Sequence, residues 1–345
     1  MSNEKINITG LYFEITDKCN FNCVYCYNDS TAKKSDYLSV EAYKMFIESI
    51  KEYGLEEIAL SGGEPTFHPR LPEILEINHS YGLYQTLITN GTGVTKDLLP
   101  KVMYKDIYFK FTVDGYDSPT NDLLRGKNSY KITSNAIKLL VANGFQDRIK
   151  VRCNLHLGNY KDMCLIASRL KDMGVSKIDF SLIFNLGRAI NTEIIDRFKH
   201  ADVVEEIEQN IAAIARDLNI IPIFDSVPTM SCPYEIPESP LTLRIDTQGN
   251  IYPCSLIVDS RFSLGNIHLT SAASLKSNIL DFSAYTITRQ SKMNECQSCV
   301  YKFACHGGCV GLSLANVGDP LAVDGSCSIR KSKVKQMLIN KRKSA

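Results

Sequence analysis

Up to about residue 185, short apolar runs alternate along the chain with longer segments that carry an apolar residue every three or four positions. Short apolar runs bounded by turn residues are typical of buried strands, and a period near 3.6 is typical of amphipathic helices. The predicted strands are 11–16, 57–60, 84–89, 106–113, 148–155 and 177–183. The predicted helices are 39–53, 71–81, 96–102, 129–143 and 159–173.

This alternation of strand and helix predicts an α/β fold. Consecutive strands separated by a helix lie parallel in one sheet and are joined by right-handed crossovers. In barrels of such units the active-site groups lie at the C-terminal ends of the strands. Polar motifs that directly follow a predicted strand are therefore the first candidates for function.

Beyond the alternating region the pattern changes. Residues 191–217 favour a connecting helix, and after Cys232 the strands become short and cysteines recur. A turn signal at 246–250 predicts a hairpin between 241–245 and 251–253. We therefore expect four parts: a barrel domain over 1–190, a connecting helical region over 191–230, a cysteine-rich domain over 231–330 and a basic C-terminal helix or tail over 331–345. Apolar residues predict an amphipathic final helix: Val334, Met337, Leu338 and Ile339.

Composition narrows the class of protein. The 345 residues carry a formal net charge of +1 and are 44% hydrophobic, which gives no reason to expect a nucleic-acid partner. No run of eighteen apolar residues occurs and the first residues lack a signal-peptide pattern, so we expect a cytoplasmic protein with no membrane partner. Because that compartment keeps thiols reduced, the twelve cysteines indicate metal binding rather than disulfides.

Three of these cysteines, Cys19, Cys23 and Cys26, directly follow the first predicted strand. A cubane iron–sulfur cluster has four iron corners held by thiolates, and this run supplies three ligands. One iron would therefore stay open for a small molecule. A zinc site is the alternative interpretation, since closely spaced cysteines also bind zinc.

The spacing of these cysteines, with Tyr25 before the last, resembles the radical S-adenosylmethionine (radical SAM) superfamily. The resemblance implies a partial (β/α)₆ barrel and a [4Fe–4S] cluster whose open iron binds S-adenosylmethionine. Reductive cleavage of that cosubstrate then yields a 5′-deoxyadenosyl radical, which removes a hydrogen atom from the substrate. An external low-potential reductant, flavodoxin or ferredoxin, is implied as well.

Further motifs match the same superfamily and imply contacts with the cosubstrate. The segment Gly62, Gly63 and Glu64 follows the second predicted strand and would bind the amino group of its methionine half. Thr112, in a Thr-Val-Asp-Gly string, and Arg125, before a glycine, would reach the cosubstrate, the arginine through its planar fork of donors. Weaker candidates, for which a turn or a capping role is the alternative, are Asn90 and Asn154.

Seven cysteines in the last third of the chain resemble the SPASM extension of radical SAM enzymes, which holds two auxiliary [4Fe–4S] clusters. By position, the outer cluster would be held by Cys296, Cys299, Cys305 and Cys327, and the inner one by Cys232, Cys254 and Cys309. Seven thiolates leave one iron of the inner cluster without a cysteine. Either another ligand completes that cluster or its iron is open to substrate. A zinc ribbon, the alternative for 296–309, explains neither Cys232 nor Cys254.

Members with this extension mostly modify peptides or proteins, so the resemblance implies that the substrate is a residue of a ribosomally made peptide. The reaction would be crosslinking, thioether formation, epimerisation or another oxidation. Sulfatase maturases carry an aspartate base directly after the cysteine that here is Cys254. This chain has Ser255 there, and a hydroxyl does not replace a carboxylate as a base near neutral pH. Formylglycine formation is therefore disfavoured.

Other expectations concern the recognition of a peptide leader, the role of Cys153 and the alternative functions. Eighteen residues precede Cys19, too few for a winged-helix leader-binding domain, so a separate leader-binding protein or the barrel itself would recognise a leader. Cys153, on the fifth predicted strand, would donate a hydrogen atom if its thiol faced the barrel interior, although a free cysteine is more often a core residue. The alternatives to a peptide maturase are a radical SAM dehydrogenase of a small molecule and an iron–sulfur electron carrier.

Overall fold

The computed structural model describes residues 5–103, 105–191, 201–224 and 232–343. Ten strands form one sheet in the order β10-β9-β8-β1-β2-β3-β4-β5-β6-β7, and neighbours from β8 through β1 to β7 are parallel. The strands are β1 (Asn7–Thr16), β2 (Glu57–Gly62), β3 (Tyr84–Ile88), β4 (Ile107–Thr112), β5 (Ile149–Leu155), β6 (Lys177–Leu182), β7 (Ile221–Phe224), β8 (Pro240–Ile245), β9 (Asn250–Tyr252) and β10 (Gly265–Asn266).

Helices connect the parallel strands and continue after the sheet. Those of the barrel are α1 (Val40–Ile50), α2 (Leu71–Ser80), α3 (Leu99–Val102), α4 (Ser118–Arg125), α5 (Ser129–Ala142), α6 (Met163–Asp172) and α7 (Ala201–Leu218). The later helices are α8 (Ala272–Arg289), α9 (Asn294–Gln297), α10 (Lys302–Cys305), α11 (Val310–Val317) and α12 (Cys327–Lys343). The α/β class and the partial barrel are therefore confirmed.

The six predicted strands are confirmed, with ends that differ by a few residues. One helix and one strand of the barrel were not predicted from the sequence, nor were α8 to α11 and β10. The short helix α4 has a polar sequence and begins with a capping box between Asp117 and Thr120, a local hydrogen-bond signal that apolar periodicity does not show. Strand β7 has only four residues and extends the parallel sheet beyond β6.

The predicted hairpin is also confirmed, but its place in the molecule was not foreseen. Strand β8 pairs with β1 in parallel, with Leu243 opposite Leu11 and Ile245 opposite Phe13, while β9 pairs with β8 in antiparallel fashion. The cysteine-rich part of the chain therefore extends the barrel sheet itself.

The core lies between the sheet and its helices. Strand residues alternate between faces, so Phe109 and Phe111 of β4 are fully buried while Lys110 between them is partly exposed on the inner face of the barrel. Helix α1 covers this core with Tyr43 and Phe46, and its N-cap Ser39 accepts a hydrogen bond from the backbone of Ala42. Burial of each such aromatic side chain contributes about 1.5–3 kcal/mol.

Two of the four predicted parts, the connecting region and the C-terminal helix, are only partly described. Helix α7 occupies the predicted connecting region, whose segments 192–200 and 225–231 lie outside the described residues. Val334 of α12 is buried, whereas the side chains of Met337, Leu338 and Ile339 lie outside the description. Within the described ranges no helix has both the length and the apolarity that a bilayer crossing needs.

Candidate active site

A cavity of about 750 Å³ occupies the inside of the barrel. Its wall includes all three cysteines that follow β1, Cys19, Cys23 and Cys26. The segment 17–31 that carries them, here called the cysteine loop, lies at the C-terminal end of β1, where the sequence predicted the site. Predicted site residues that also line the cavity are Tyr25, Gly62, Gly63, Asn90, Thr112, Arg125 and Asn154.

The three thiols of the cysteine loop lie close enough to interact. Burial raises the pKa of Cys19 to about 12, and the neighbouring Cys23 and Cys26 add to that rise. The side-chain amide of Asn90 donates to the sulfur of Cys19 over 3.7 Å. Three thiols on one cavity wall fit three corners of a cubane cluster, whose ligands must be thiolates.

The two glycines after β2 pack directly against the cysteine loop. The backbone N–H of Gly63 donates to the carbonyl of Thr16 over 2.6 Å, and that of Glu64 donates to Lys18 over 2.8 Å. A Cβ at Gly63 would lie 2.2 Å from the Lys18 carbonyl oxygen, and Gly62 has φ +111°. Glycine is therefore required here because two backbones meet without room for a side chain.

The Glu64 side chain is fully buried and does not line the cavity. Its carboxylate accepts from the backbone and hydroxyl of Thr66, from the hydroxyl of Thr89 and from the backbone of Asn90. These bonds tie the end of β3 to the end of β2 and so position Asn90 beside Cys19. The contact of Glu64 with a cosubstrate stays a prediction.

A second group of polar side chains joins the cysteine loop to β4. The Tyr25 hydroxyl donates to Asp114 and accepts from Arg125 over 2.8 Å. Burial raises the pKa of Asp114, while the charge of Arg125 acts in the opposite direction. Arg125 Nε is buried and has no hydrogen-bond partner among the described residues. A buried, unpartnered guanidinium donor beside the cavity fits an anionic group such as the carboxylate of S-adenosylmethionine.

Asn154 lines the cavity, and its backbone N–H donates to Asp114 over 2.7 Å. Cys153 does not line it. Because strand residues alternate between faces, Arg152 and Asn154 face the cavity while the Cys153 thiol points into the core, where its exposure is 0%. The core interpretation of Cys153 therefore agrees with the structure, whereas the hydrogen-donor interpretation, which required the thiol to face the barrel interior, does not.

Arg188, which sequence reasoning missed, holds the cysteine loop from the far side of the barrel. Its side chain donates to the carbonyls of Cys23 and Ser30 and to the carboxylate of Asp29, over 2.9–3.0 Å. Its backbone N–H donates to the carbonyl of Cys26 over 3.0 Å. The backbone around two of the three cysteines therefore depends on a residue that follows β6.

A buried network links the cysteine loop to β8. The Tyr27 hydroxyl contacts that of Tyr12 over 2.7 Å and donates to Glu14 over 3.1 Å. Glu14 forms a bidentate ion pair with Arg244 over 2.7 and 2.9 Å. Breaking such a buried pair typically costs about 3–5 kcal/mol, because one charge is left uncompensated. Ser255, the residue whose identity disfavours formylglycine formation, lines the same cavity.

The remaining cysteines fall into two sets in the structure. Cys296 interacts with Cys299, Cys305 and Cys327, while Cys232 interacts with Cys254 and Cys309. These are the outer and inner sets that the resemblance to the SPASM extension implies. Within the described ranges, no three His, Cys, Asp or Glu side chains converge on a point that one metal ion could fill. The ligand roles of both sets, and of the three thiols of the cysteine loop, therefore stay predictions.

Two buried arginines hold the loops that carry these later cysteines. Arg289 donates to the carbonyls of Gly307, Gly308, Pro320 and Ala322 and to the hydroxyl of Ser313. Arg330 forms a bidentate pair with Asp324, which also accepts from the backbone N–H of Cys309 over 2.9 Å. Both arginines were missed in the sequence, because an isolated arginine gives no signal of burial.

Comparisons with known proteins agree with this geometry. Residues 13–170 match the family model described as the radical SAM superfamily. The subtilosin biosynthesis protein AlbA of Bacillus subtilis is 28% identical over 76% of this chain and 58% of its own length, so the chain spans less than two thirds of that relative. The mycofactocin maturase MftC of Mycobacterium ulcerans is 23% identical over 87% of this chain and 82% of its own length.

A solved structure described as native anSMEcpe with bound AdoMet is similar in fold, with a TM-score of 0.73 and 17% identity over 98% of this chain and 100% of that one. Its likeness covers the barrel and the cysteine-rich part together. The family model accounts for the cysteine loop and the strands around it. The chain therefore carries a radical SAM domain over residues 13–170, and its similarity to AlbA, MftC and the solved structure continues into the cysteine-rich part.

Proposed function

We propose that this enzyme is a peptide maturase that removes a hydrogen atom from a residue of a ribosomally made peptide. The observation that carries the proposal is the cavity inside the barrel, which brings the three thiols of the cysteine loop and the unpartnered Arg125 Nε to one wall. The cavity of about 750 Å³ is large enough for a cosubstrate and one or two residues of a peptide.

The radical SAM family implies a [4Fe–4S] cluster and S-adenosylmethionine. When bound, the cluster supplies the electron that cleaves S-adenosylmethionine to the 5′-deoxyadenosyl radical. Cys19, Cys23 and Cys26 would hold the cluster, and Arg188 and the glycines after β2 would keep their backbone in place. Arg125 and Thr112 would orient the carboxylate of the cosubstrate. Tyr25 and Asp114 hold Arg125 for that role.

The names of two relatives support a peptide as the substrate class. One takes part in biosynthesis of the bacteriocin subtilosin, and the other is a mycofactocin maturase. The serine at position 255, on the cavity wall, supports a reaction other than formylglycine formation. We further propose that the outer and inner cysteine sets hold two auxiliary [4Fe–4S] clusters, that flavodoxin or ferredoxin reduces the enzyme, and that a separate protein binds a peptide leader.

The test uses protein reconstituted with iron and sulfide without oxygen. S-adenosylmethionine and dithionite are added, and 5′-deoxyadenosine is measured. Each short peptide encoded beside the gene is then incubated with the enzyme, and its mass is measured by mass spectrometry. We expect about twelve irons per chain, 5′-deoxyadenosine, and one modified peptide. A crosslink, a thioether or another oxidation lowers the peptide mass by about two hydrogen atoms, whereas epimerisation leaves the mass unchanged in water and adds about one deuterium in D2O.

The outcomes separate the alternatives. Zinc in place of iron, or iron without cleavage, would contradict the enzyme's proposed cofactors and support an electron carrier or binding protein. Cleavage with every encoded peptide unchanged in mass, in water and in D2O, would contradict the peptide substrate and favour dehydrogenation of a small molecule.

Arg188→Ala is expected to loosen the cluster of the cysteine loop. Three side-chain hydrogen bonds from a charged group are lost, so we expect a chelator to remove iron from this cluster about ten times faster. The cluster is followed by the electron paramagnetic resonance signal that changes when S-adenosylmethionine is added. Arg70→Ala, which removes exposed ion pairs with Glu41 and Glu73, is the control. Equal rates in both variants would contradict the role of Arg188.

A further inference from the structure

A cluster of charged side chains lies inside the barrel, away from the cysteine loop in sequence. Lys110 of β4, Lys150 and Arg152 of β5, and Asp179 of β6 converge on one carboxylate oxygen, Oδ2 of Asp179. The distances to it are 2.7 Å from Lys110 Nζ, 2.8 Å from Arg152 Nη2 and 4.0 Å from Lys150 Nζ. We call these four residues the lumen cluster.

The lumen cluster carries more positive than negative charge. Three cations face one carboxylate. Among the described residues, none of the three cations forms an ion pair with any carboxylate other than that of Asp179. Burial and the neighbouring Arg152 lower the pKa of Lys110 to about 8. An excess of cations that is partly withdrawn from solvent favours an anion that compensates it. The side chains of Lys150 and Arg152 keep 35% and 39% exposure, so their donors are accessible from the cavity.

The register of the strands places the lumen cluster relative to the cysteine loop. In the strand register, Arg152 of β5 lies opposite Thr112 of β4 and opposite Asp179 of β6. Lys150 lies opposite Lys110, one layer nearer to the N-terminal ends of the strands. Consecutive inward-facing residues of a strand are about 6.6 Å apart. The cluster therefore lies one to two layers below Asn154, and its three cations are on the wall of the cavity that also contains the three thiols.

Other charged groups on the cavity wall lie apart from the cluster. Glu57 begins β2, Asp147 precedes β5 and Lys177 begins β6, all at the N-terminal mouth of the barrel. In the described part of the chain, none of them forms an ion pair with a member of the lumen cluster. They therefore do not neutralise its excess charge by direct contact.

We propose that the lumen cluster binds a carboxylate of the substrate and so selects substrates with an acidic group next to the reacting residue. The inference rests on the proposed function and names the substrate class of the same cavity. In a peptide the carboxylate comes from an acidic side chain or from the C-terminus. Lys150 and Arg152 hold it through charge-assisted hydrogen bonds, while Asp179 keeps the cations in place when the cavity is empty of substrate.

The test measures binding to the reconstituted enzyme with S-adenosylmethionine and without reductant. Three dansylated alanine pentapeptides are the probes, followed by fluorescence anisotropy. One has a central glutamate and an amidated C-terminus, one a central glutamine and an amidated C-terminus, and one a central glutamine and a free C-terminal carboxylate. We expect at least one acidic probe to bind about ten times more tightly than the neutral one. Which acidic probe binds identifies the source of the carboxylate.

Three variants connect this preference to the lumen cluster. Lys150→Gln should remove most of the preference, whereas Asp179→Asn, which removes the competing carboxylate, should strengthen binding of the acidic probe several-fold. Lys177→Gln is the matched control, because it removes one positive charge from the same wall without touching Asp179. The dissociation constant of S-adenosylmethionine is measured for each variant and should not change.

Each outcome supports or overturns the proposal. Equal binding of the three probes, including no binding of any, overturns it. Equal effects of Lys150→Gln and Lys177→Gln, or weaker binding of S-adenosylmethionine to Lys150→Gln, also overturn it. If circular dichroism shows that Asp179→Asn does not fold, the comparison of Lys150→Gln with Lys177→Gln decides whether the proposal holds. Because no turnover is needed, an enzyme that fails the cleavage test still gives a result here.

Discussion

Replacing Cys19, Cys23 and Cys26 together by alanine is expected to abolish 5′-deoxyadenosine formation. Without these thiols the proposed open-iron cluster would have no ligands, so S-adenosylmethionine would be neither bound at iron nor reduced. The later cysteines are untouched, and we expect iron to fall by about four atoms per chain while about eight remain. Chromatography of 5′-deoxyadenosine and iron analysis of the same preparation check both parts.

Cys164→Ala is the matched control for the triple variant. Cys164 is exposed on α6 and belongs to none of the cysteine sets, so its replacement is the same cysteine-to-alanine change at a site away from them. We expect it to keep full iron content and full cleavage. Cleavage retained by the triple variant would contradict the assignment of the cysteine loop. Loss of all iron would show instead that the three sites do not assemble independently.

Asp324→Ala is expected to destabilise the cysteine-rich part by about 3–5 kcal/mol. The substitution leaves Arg330, which is 1% exposed, as a buried charge without its partner. It also removes the acceptors of the backbone N–H groups of Cys309 and Ser326. Because these bonds hold the segments around Cys309 and Cys327, we expect both later cysteine sets to lose the iron that we propose they hold. Urea unfolding and iron analysis measure the two effects.

Asp259→Ala provides the comparison for this prediction. Asp259 is paired with Arg261, whose side chain is 60% exposed, so solvent screens the charge that remains. We expect a loss of stability below about 1 kcal/mol and unchanged iron. A double variant, Asp324→Ala with Arg330→Met, should recover much of the lost stability, because it removes the unpaired charge. Similar stability of Asp324→Ala and Asp259→Ala would show that the buried pair does not hold these loops.

Much of the barrel and the candidate site could be predicted from the sequence, because the signals are local. Strand and helix alternate with clear periods, and the motifs directly follow strands, at Cys19 after β1 and Gly62 at the end of β2. Parallel strands bring their C-terminal ends to one edge, so local motifs meet there without further information. The division of the later cysteines into two sets was implied by the resemblance to the SPASM extension, and the structure brings the members of each set near one another.

The tertiary structure alone decided the contacts between distant segments. Arg188 reaches a loop 165 residues earlier, and Arg244 pairs with Glu14 across 230 residues. The face of β5 that Cys153 occupies and the convergence of Lys110, Arg152 and Asp179 depend on strand register and strand order. A single arginine, lysine or cysteine carries no local signal of its partner, because burial and pairing arise only when crossovers bring separate strands side by side. Local chemistry was therefore readable in the sequence, whereas the charges that support it were defined only by the fold.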